Sequence, residues 1–186
     1  MPGHGSVTAT HVVVATGPDA VPVVPSWAGL SSYTGDFYHA GEFRNVSDVA
    51  GQDVLVVGAG NSGVDLLNQL VDSSAGQLWL SARSGMNIAP KTIASIPSHL
   101  CAVAGRRLPT RTQDNLLRAM QTLAFGDLTS YGLPRAERGA FSRAISDGVT
   151  VAGDDGFVKA LKRGRVAMKP TIVSFDGPHV SYVATR

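Results

Sequence analysis

The run DVLVVGAGNSGVDLLNQL, Asp53 to Leu70, constrains the fold more than any other stretch of the chain. Val54–Val57 has the length and β-branched character of a buried strand. Gly58, Gly60 and Gly63 follow in the spacing G-x-G-x-x-G, and a helix is expected over Ser62–Val71, with Val64, Leu67 and Val71 on one face. Each glycine has its own physical reason. Gly58 permits a tight turn out of the strand. Gly60 carries no side chain, so a diphosphate can approach the backbone. Gly63 lets the helix pack close to the strand. The unpaired N–H groups of the first helical turn, and its partial positive charge, then face the anion. Asn61 and Ser62 complete the candidate phosphate site. The plain alternative is a glycine-rich βα turn that binds nothing.

QLWLSA, residues 77–82, reads as the next strand and completes a βαβ unit. A site for NAD usually has an acid at this point, bonded to the ribose hydroxyls. Here the strand ends in Arg83-Ser84, and no Asp or Glu lies between Asp72 and Arg83. A guanidinium suits a 2′-phosphate through charge-assisted, bidentate bonds. NADPH is therefore expected over NADH, with Arg83 and Ser84 as binding candidates; a solvated surface arginine is the competing reading. Lys91 is a weaker second candidate.

The remainder supports an α/β class: a Rossmann-like dinucleotide-binding domain with a parallel sheet, a helical insertion and a small β element. THVVVATG, residues 10–17, reads as a buried strand, and FYHAGEF as a short extended piece. Prolines at 18, 22 and 25 stiffen the connection between them. Thr112 is expected to cap a helix running to about Ala124, with Leu116, Leu117, Met120, Leu123 and Ala124 as its apolar stripe. A short helix should start at Asp155 and stop at Gly164, before strands around the Asp176-Gly177 turn. The expected organisation is a linker with a strand remnant over residues 1–50, then a nucleotide-binding domain over 51–186 with its insertion at about 90–150.

Composition narrows the function classes. Charged residues are only 16% and apolar ones 44%, against disorder. Up to residue 81 one basic residue faces seven acidic ones, and beyond it 15 face 7. The basic residues are scattered and follow no helix-turn-helix, zinc or RNP-type pattern, so a phosphorylated small molecule is a better partner than nucleic acid. No metal site is expected. Cys101 is the single cysteine. It fits a reducing cytosol, hence a cytoplasmic protein, and leaves no redox pair for a disulfide reductase. No apolar run is long enough to span a membrane, and the first residues do not read as a signal peptide. There is no G-x-S-x-G nucleophile elbow.

YTGDFYHAGEFR, residues 33–44, resembles the fingerprint of the flavin-containing monooxygenase family: an aromatic, a glycine, a histidine, an aromatic and a basic residue just upstream of the coenzyme glycines. Tyr33, Gly35, His39, Phe43 and Arg44 carry it. Ala15-Thr16-Gly17 is similar to that family's linker between its FAD and NADPH domains, which adds Thr16 and Gly17 to the cofactor-binding candidates. The glycine turn with Ser62 also matches.

The resemblance implies that NADPH reduces FAD and that a flavin C4a-hydroperoxide oxygenates a nucleophilic N or S atom, or a ketone in Baeyer–Villiger relatives. Phe43-Arg44, where those relatives have Trp-Pro, fits the N/S branch. His39 is the candidate catalytic residue, coupling the cofactors; a hydrogen-bonded loop histidine is the alternative. No FAD-binding glycine motif precedes the ATG segment in this sequence. The expectation is thus the NADPH-binding part of a monooxygenase, with FAD held by a complementing domain or by a partner in a homo-oligomer. The other reading is a nucleotide- or partner-binding module left by truncation, without catalysis.

Overall fold

The structure, a computed structural model, describes residue 6 and residues 8–13 and 21–184. Val54–Val57 forms β1, Asn61–Leu70 α1 and Leu78–Ser81 β2. β1 and β2 are parallel neighbours, Val54 opposite Leu78 and Val57 opposite Ser81. This is the βαβ unit that the glycine spacing predicts. Next come β3 (Ile88–Pro90), the small antiparallel pair β4 (Thr92–Ile93) and β5 (Ile96–Pro97), α2 (Ser98–Gly105), α3 (Thr110–Phe125) and α4 (Ala140–Asp147). β6 (Ala152–Asp154) returns parallel to β3. α5 (Phe157–Lys162) leads into β7 (Val166–Lys169), which pairs with β2 on the side away from β1. β8 (Ile172–Asp176) and β9 (His179–Tyr182) close a hairpin across Gly177-Pro178. The central sheet has the order β1-β2-β7, all parallel, with helices between its strands. The class is α/β and Rossmann-like.

The core follows from two periodicities. Leu78 and Leu80, two apart on β2, point to one face of the sheet, and α1 lays Val64, Leu67 and Leu70 against it; all five are fully buried. Phe157 and Leu161 of α5 fill the space beside Val166 of β7. At the far end of α1, the Arg165 guanidinium donates to the carbonyls of Ala75 (2.8 Å) and Gly76. Those carbonyls have no ladder partner of their own, and the guanidinium fork satisfies both.

Several expectations are corrected. Residues 10–13 form no strand, and Val12 and Val13 are 81% and 87% exposed, because among the described residues no neighbour pairs with them. The remainder of that segment, including Thr16 and Gly17, lies outside the described residues. FYHAGEF is a turn rather than an extended piece: Glu42 and Phe43 both donate their N–H to the carbonyl of His39. α3 begins at Thr110, with Pro109 as its N-cap rather than Thr112.

The stripe of α3 is also rotated from the expected one. Leu117 and Met120 face inward with Asp114 and Gln121, whereas Leu116 and Leu123 are 57% and 90% exposed. Two polar anchors seven residues apart set this facing. Asp114 accepts the N–H of Phe141, and Gln121 accepts the N–H of Ile88 at 3.2 Å. No helix is long and apolar enough to cross a membrane among the described residues.

Candidate dinucleotide-binding site

The glycine turn sits where β1 ends. Gly58 takes φ +102°, a conformation that side chains strongly disfavour, and its N–H donates to Ser81 O at 2.9 Å. A Cβ on Gly63 would overlap the carbonyl oxygen of Gly58, so helix and turn touch through bare backbone. A Cβ on Gly60 would meet nothing within 4 Å. Gly60 is the N-cap of α1, and no side chain caps the helix. The first amide to find an intrahelical acceptor is that of Val64, bonded to Gly60 O. The amides ahead of it therefore face an open approach at the positive end of a ten-residue helix. This arrangement fits a diphosphate, the group that the glycine spacing predicts.

Arg83 leaves the sheet at the same edge. Because Val57 lies opposite Ser81, the two residues that follow Ser81 emerge beside the turn at Gly58. Arg83 and Ser84 are both exposed, and Arg83 makes no hydrogen bond or ion pair with the described residues. Ser62 is exposed at the second position of α1. Lys91 is differently placed. Its ammonium bridges Asp65 and Asp155 at 3.0 Å each, and bonds to Asp155 and Asp65 hold it above its usual protonation range. It is committed to carboxylates.

Asn61 is likewise engaged. Its amide donates to Thr150 Oγ1 at 2.8 Å, and its Oδ1 accepts the N–H of Gly153 at 3.2 Å. Three polar residues spaced i, i+4, i+7 on α1 thus meet one downstream segment. Asn61 meets Thr150 and Gly153, Asp65 meets Asp155 through Lys91, and Asn68 Oδ1 accepts the N–H of Phe157 at 2.7 Å. Sequence reasoning found the apolar face of α1 and missed this polar one. The i, i+4, i+7 spacing was its signal.

Residues 3–94 match the family described as pyridine nucleotide-disulphide oxidoreductase. Indole-3-pyruvate monooxygenase YUCCA4 of Oryza sativa subsp. japonica is 34% identical over 92% of the chain and 39% of its own length. The probable indole-3-pyruvate monooxygenases YUCCA8 and YUCCA9 of Arabidopsis thaliana are 31% and 33% identical, each over 92% of the chain, and the match covers 40% and 41% of their own lengths. The chain belongs to the flavin-containing monooxygenase family. It spans about two fifths of the length of these relatives.

The fingerprint residues pack in part against the hairpin β8–β9. Tyr33 packs edge-on against Phe175 of β8 with ring centroids 5.2 Å apart, and Thr34 donates its N–H to Gly177 O at 3.1 Å. Phe43 packs against the core, and Arg44 is exposed. His39 is half-buried, and its Nδ1 accepts the N–H of Gly41 at 3.1 Å. Its backbone N–H donates to Glu42. No hydrogen bond joins residues 33–44 to the glycine turn among the described residues. His39 Nδ1 thus closes the turn onto the Gly41 amide. Within the described residues no group of three or more His, Cys, Asp or Glu could hold a metal ion.

Proposed function

We propose that this chain is the NADPH-binding part of a flavin-dependent monooxygenase. The observation that carries the reading is the open, uncapped start of α1 at Gly60 with Arg83 emerging from the same sheet edge. Amides of the first turn bind the diphosphate, Ser62 lies beside it, and Arg83 with Ser84 takes the adenosine 2′-phosphate. Thr16 and Gly17 belong to the proposal through the family motif alone, and so does a coupling role for His39. The Gly-x-Gly turn between a strand and a helix occurs once among the described residues, and no residue is assigned to FAD. When bound, the flavin supplies the activation of oxygen. A complementing domain or a second copy would present it.

The names of the relatives state indole-3-pyruvate, a carbonyl compound. This supports oxygenation next to a carbonyl over the N/S branch that Phe43-Arg44 suggested. A cytoplasmic setting is part of the proposal, on the strength of the lone Cys101.

Arg83→Ala tests the site. Loss of charge-assisted bonds to a phosphate should weaken NADPH about 10- to 100-fold and leave NADH unchanged. Equal effects on the two coenzymes would favour the second reading, a binding module without catalysis. One observation supports that reading: the insertion exposes large apolar side chains on both helices, Leu100 and Val103 on α2 and Leu116 and Leu123 on α3.

A further inference from the structure

We infer that Asn61 and Thr150 are a positioning pair: they tie the mouth of the coenzyme cradle to the exit of the helical insertion, and Asn61 is no coenzyme ligand. The inference rests on the NADPH reading above and deepens it.

Asn61 is the first residue of α1, next to the uncapped amides. Free asparagine side chains compete for nearby backbone groups, above all at helix starts. Here the side chain is pulled sideways. Nδ2 is spent on Thr150 Oγ1 at 2.8 Å and Oδ1 on the Gly153 amide at 3.2 Å. Both partners lie about ninety residues downstream, at the end of the insertion and in β6. Two consequences follow. The asparagine is kept off the first-turn amides, which stay available to an anion. The start of α1 is also fixed against β6, while Asp65 and Asn68 continue the same seam further along the helix. A ligand group held within a fraction of an ångström depends on such supporting bonds. Thr150 is exposed and packs into no core, so its hydroxyl can be removed without leaving a cavity.

The test is titration of the full chain with NADPH, followed by the coenzyme's fluorescence, alongside thermal melting without coenzyme. Thr150→Val should raise the NADPH Kd about three- to tenfold, the range set by one lost neutral hydrogen bond, and Asn61→Ala, which loses the Gly153 bond as well, at least as much. The double variant should be no weaker than the weaker single variant, and Thr150→Ser should restore binding. An unchanged Kd in Thr150→Val with a raised one in Asn61→Ala would show that Thr150 does not position Asn61 and would overturn the inference. A lowered melting temperature with unchanged Kd in both would make the pair merely structural and overturn it too. In either case the NADPH reading survives. Failure of the unsubstituted chain to bind NADPH would sink both.

Discussion

Gly63 lies so close to Gly58 that any side chain on Gly63 would collide with the carbonyl oxygen of Gly58. Two residues along, Gly60 faces open space. The two glycines should therefore fail differently. Gly63→Ala must push α1 off the turn, and overpacking of this kind costs about 1–3 kcal/mol. Gly60→Ala should leave the melting temperature near that of the unsubstituted chain but weaken NADPH, because the new methyl group occupies the diphosphate's approach. Melting curves and coenzyme titrations on both variants separate the outcomes. Equal losses of stability would refute the distinction.

Asp114 caps a helix from which it is remote in sequence. From α3 it accepts the N–H of Phe141 at 2.7 Å and the hydroxyl of Ser142, at the start of α4. Gly139 lets it approach, since a Cβ there would overlap the carboxylate. Asp114→Ala should cost about 1–2 kcal/mol, as loss of an N-cap does. Hydrogen exchange should rise first in Ala140–Asp147. Uniform exchange across the chain would count against a local cap.

Asp154 is buried, and burial pushes its carboxyl above the usual carboxylate range, outweighing the N–H groups of Gly156 and Val158 that it accepts. The folded state thus binds its proton more tightly than the unfolded chain does. Stability falls as pH climbs from the ordinary Asp range through the raised value, and stays lowered above it. Asp154→Asn keeps an acceptor oxygen and removes the charge. It should melt at a higher temperature than the unsubstituted chain at pH 7, with the gap closing near pH 3, where the carboxyl is neutral in both states. A variant that melts lower at pH 7 would mean that the negative charge at the start of α5 outweighs its burial.

Arg165 joins β7 to the carbonyls of Ala75 and Gly76 beyond the end of α1. Lysine presents a single ammonium in place of the planar fork, so Arg165→Lys should recover little of what Arg165→Ala loses. Hydrogen bonds to a charged donor are worth about 1.5–3 kcal/mol. Chemical denaturation of both variants measures the loss, and full rescue by lysine would show that charge alone matters.

His39 holds Gly41 through Nδ1 much as an asparagine side chain holds the residue two positions on. His39→Asn should accordingly keep the melting temperature, and His39→Leu should lower it. If His39→Asn also abolished NADPH oxidation by the flavin-loaded assembly, the coupling role suggested by the family fingerprint would gain its first support.

The sequence made the βαβ unit legible because its signals are local. A β-branched run, three glycines and a 3.6-residue period all fall within Val54–Leu70. Long-range pairings were not legible. Leu116 and Leu123 look like core positions, yet they face outward because Asp114 and Gln121 turn α3 the other way to bind α4 and β3. α4 itself was missed: its N-cap, Gly139, has no side chain to bond the first turn, and the capping carboxylate comes from Asp114 on another helix. At the site, the glycine positions could be read from spacing alone. The commitments of Asn61 and Lys91 could not, since their partners lie far along the chain or on two different elements.

β3 and β6 are adjacent parallel strands, so the chain departs for its helical excursion and comes back at neighbouring points. Lengthening such a detour carries only a slowly growing entropic cost. Selection can remodel or exchange the helices between these two strands while the nucleotide end of the molecule stays as it is. New helices can therefore be fitted between these strands beside the proposed coenzyme site, provided that each replacement still ends in a hydroxyl able to meet Asn61.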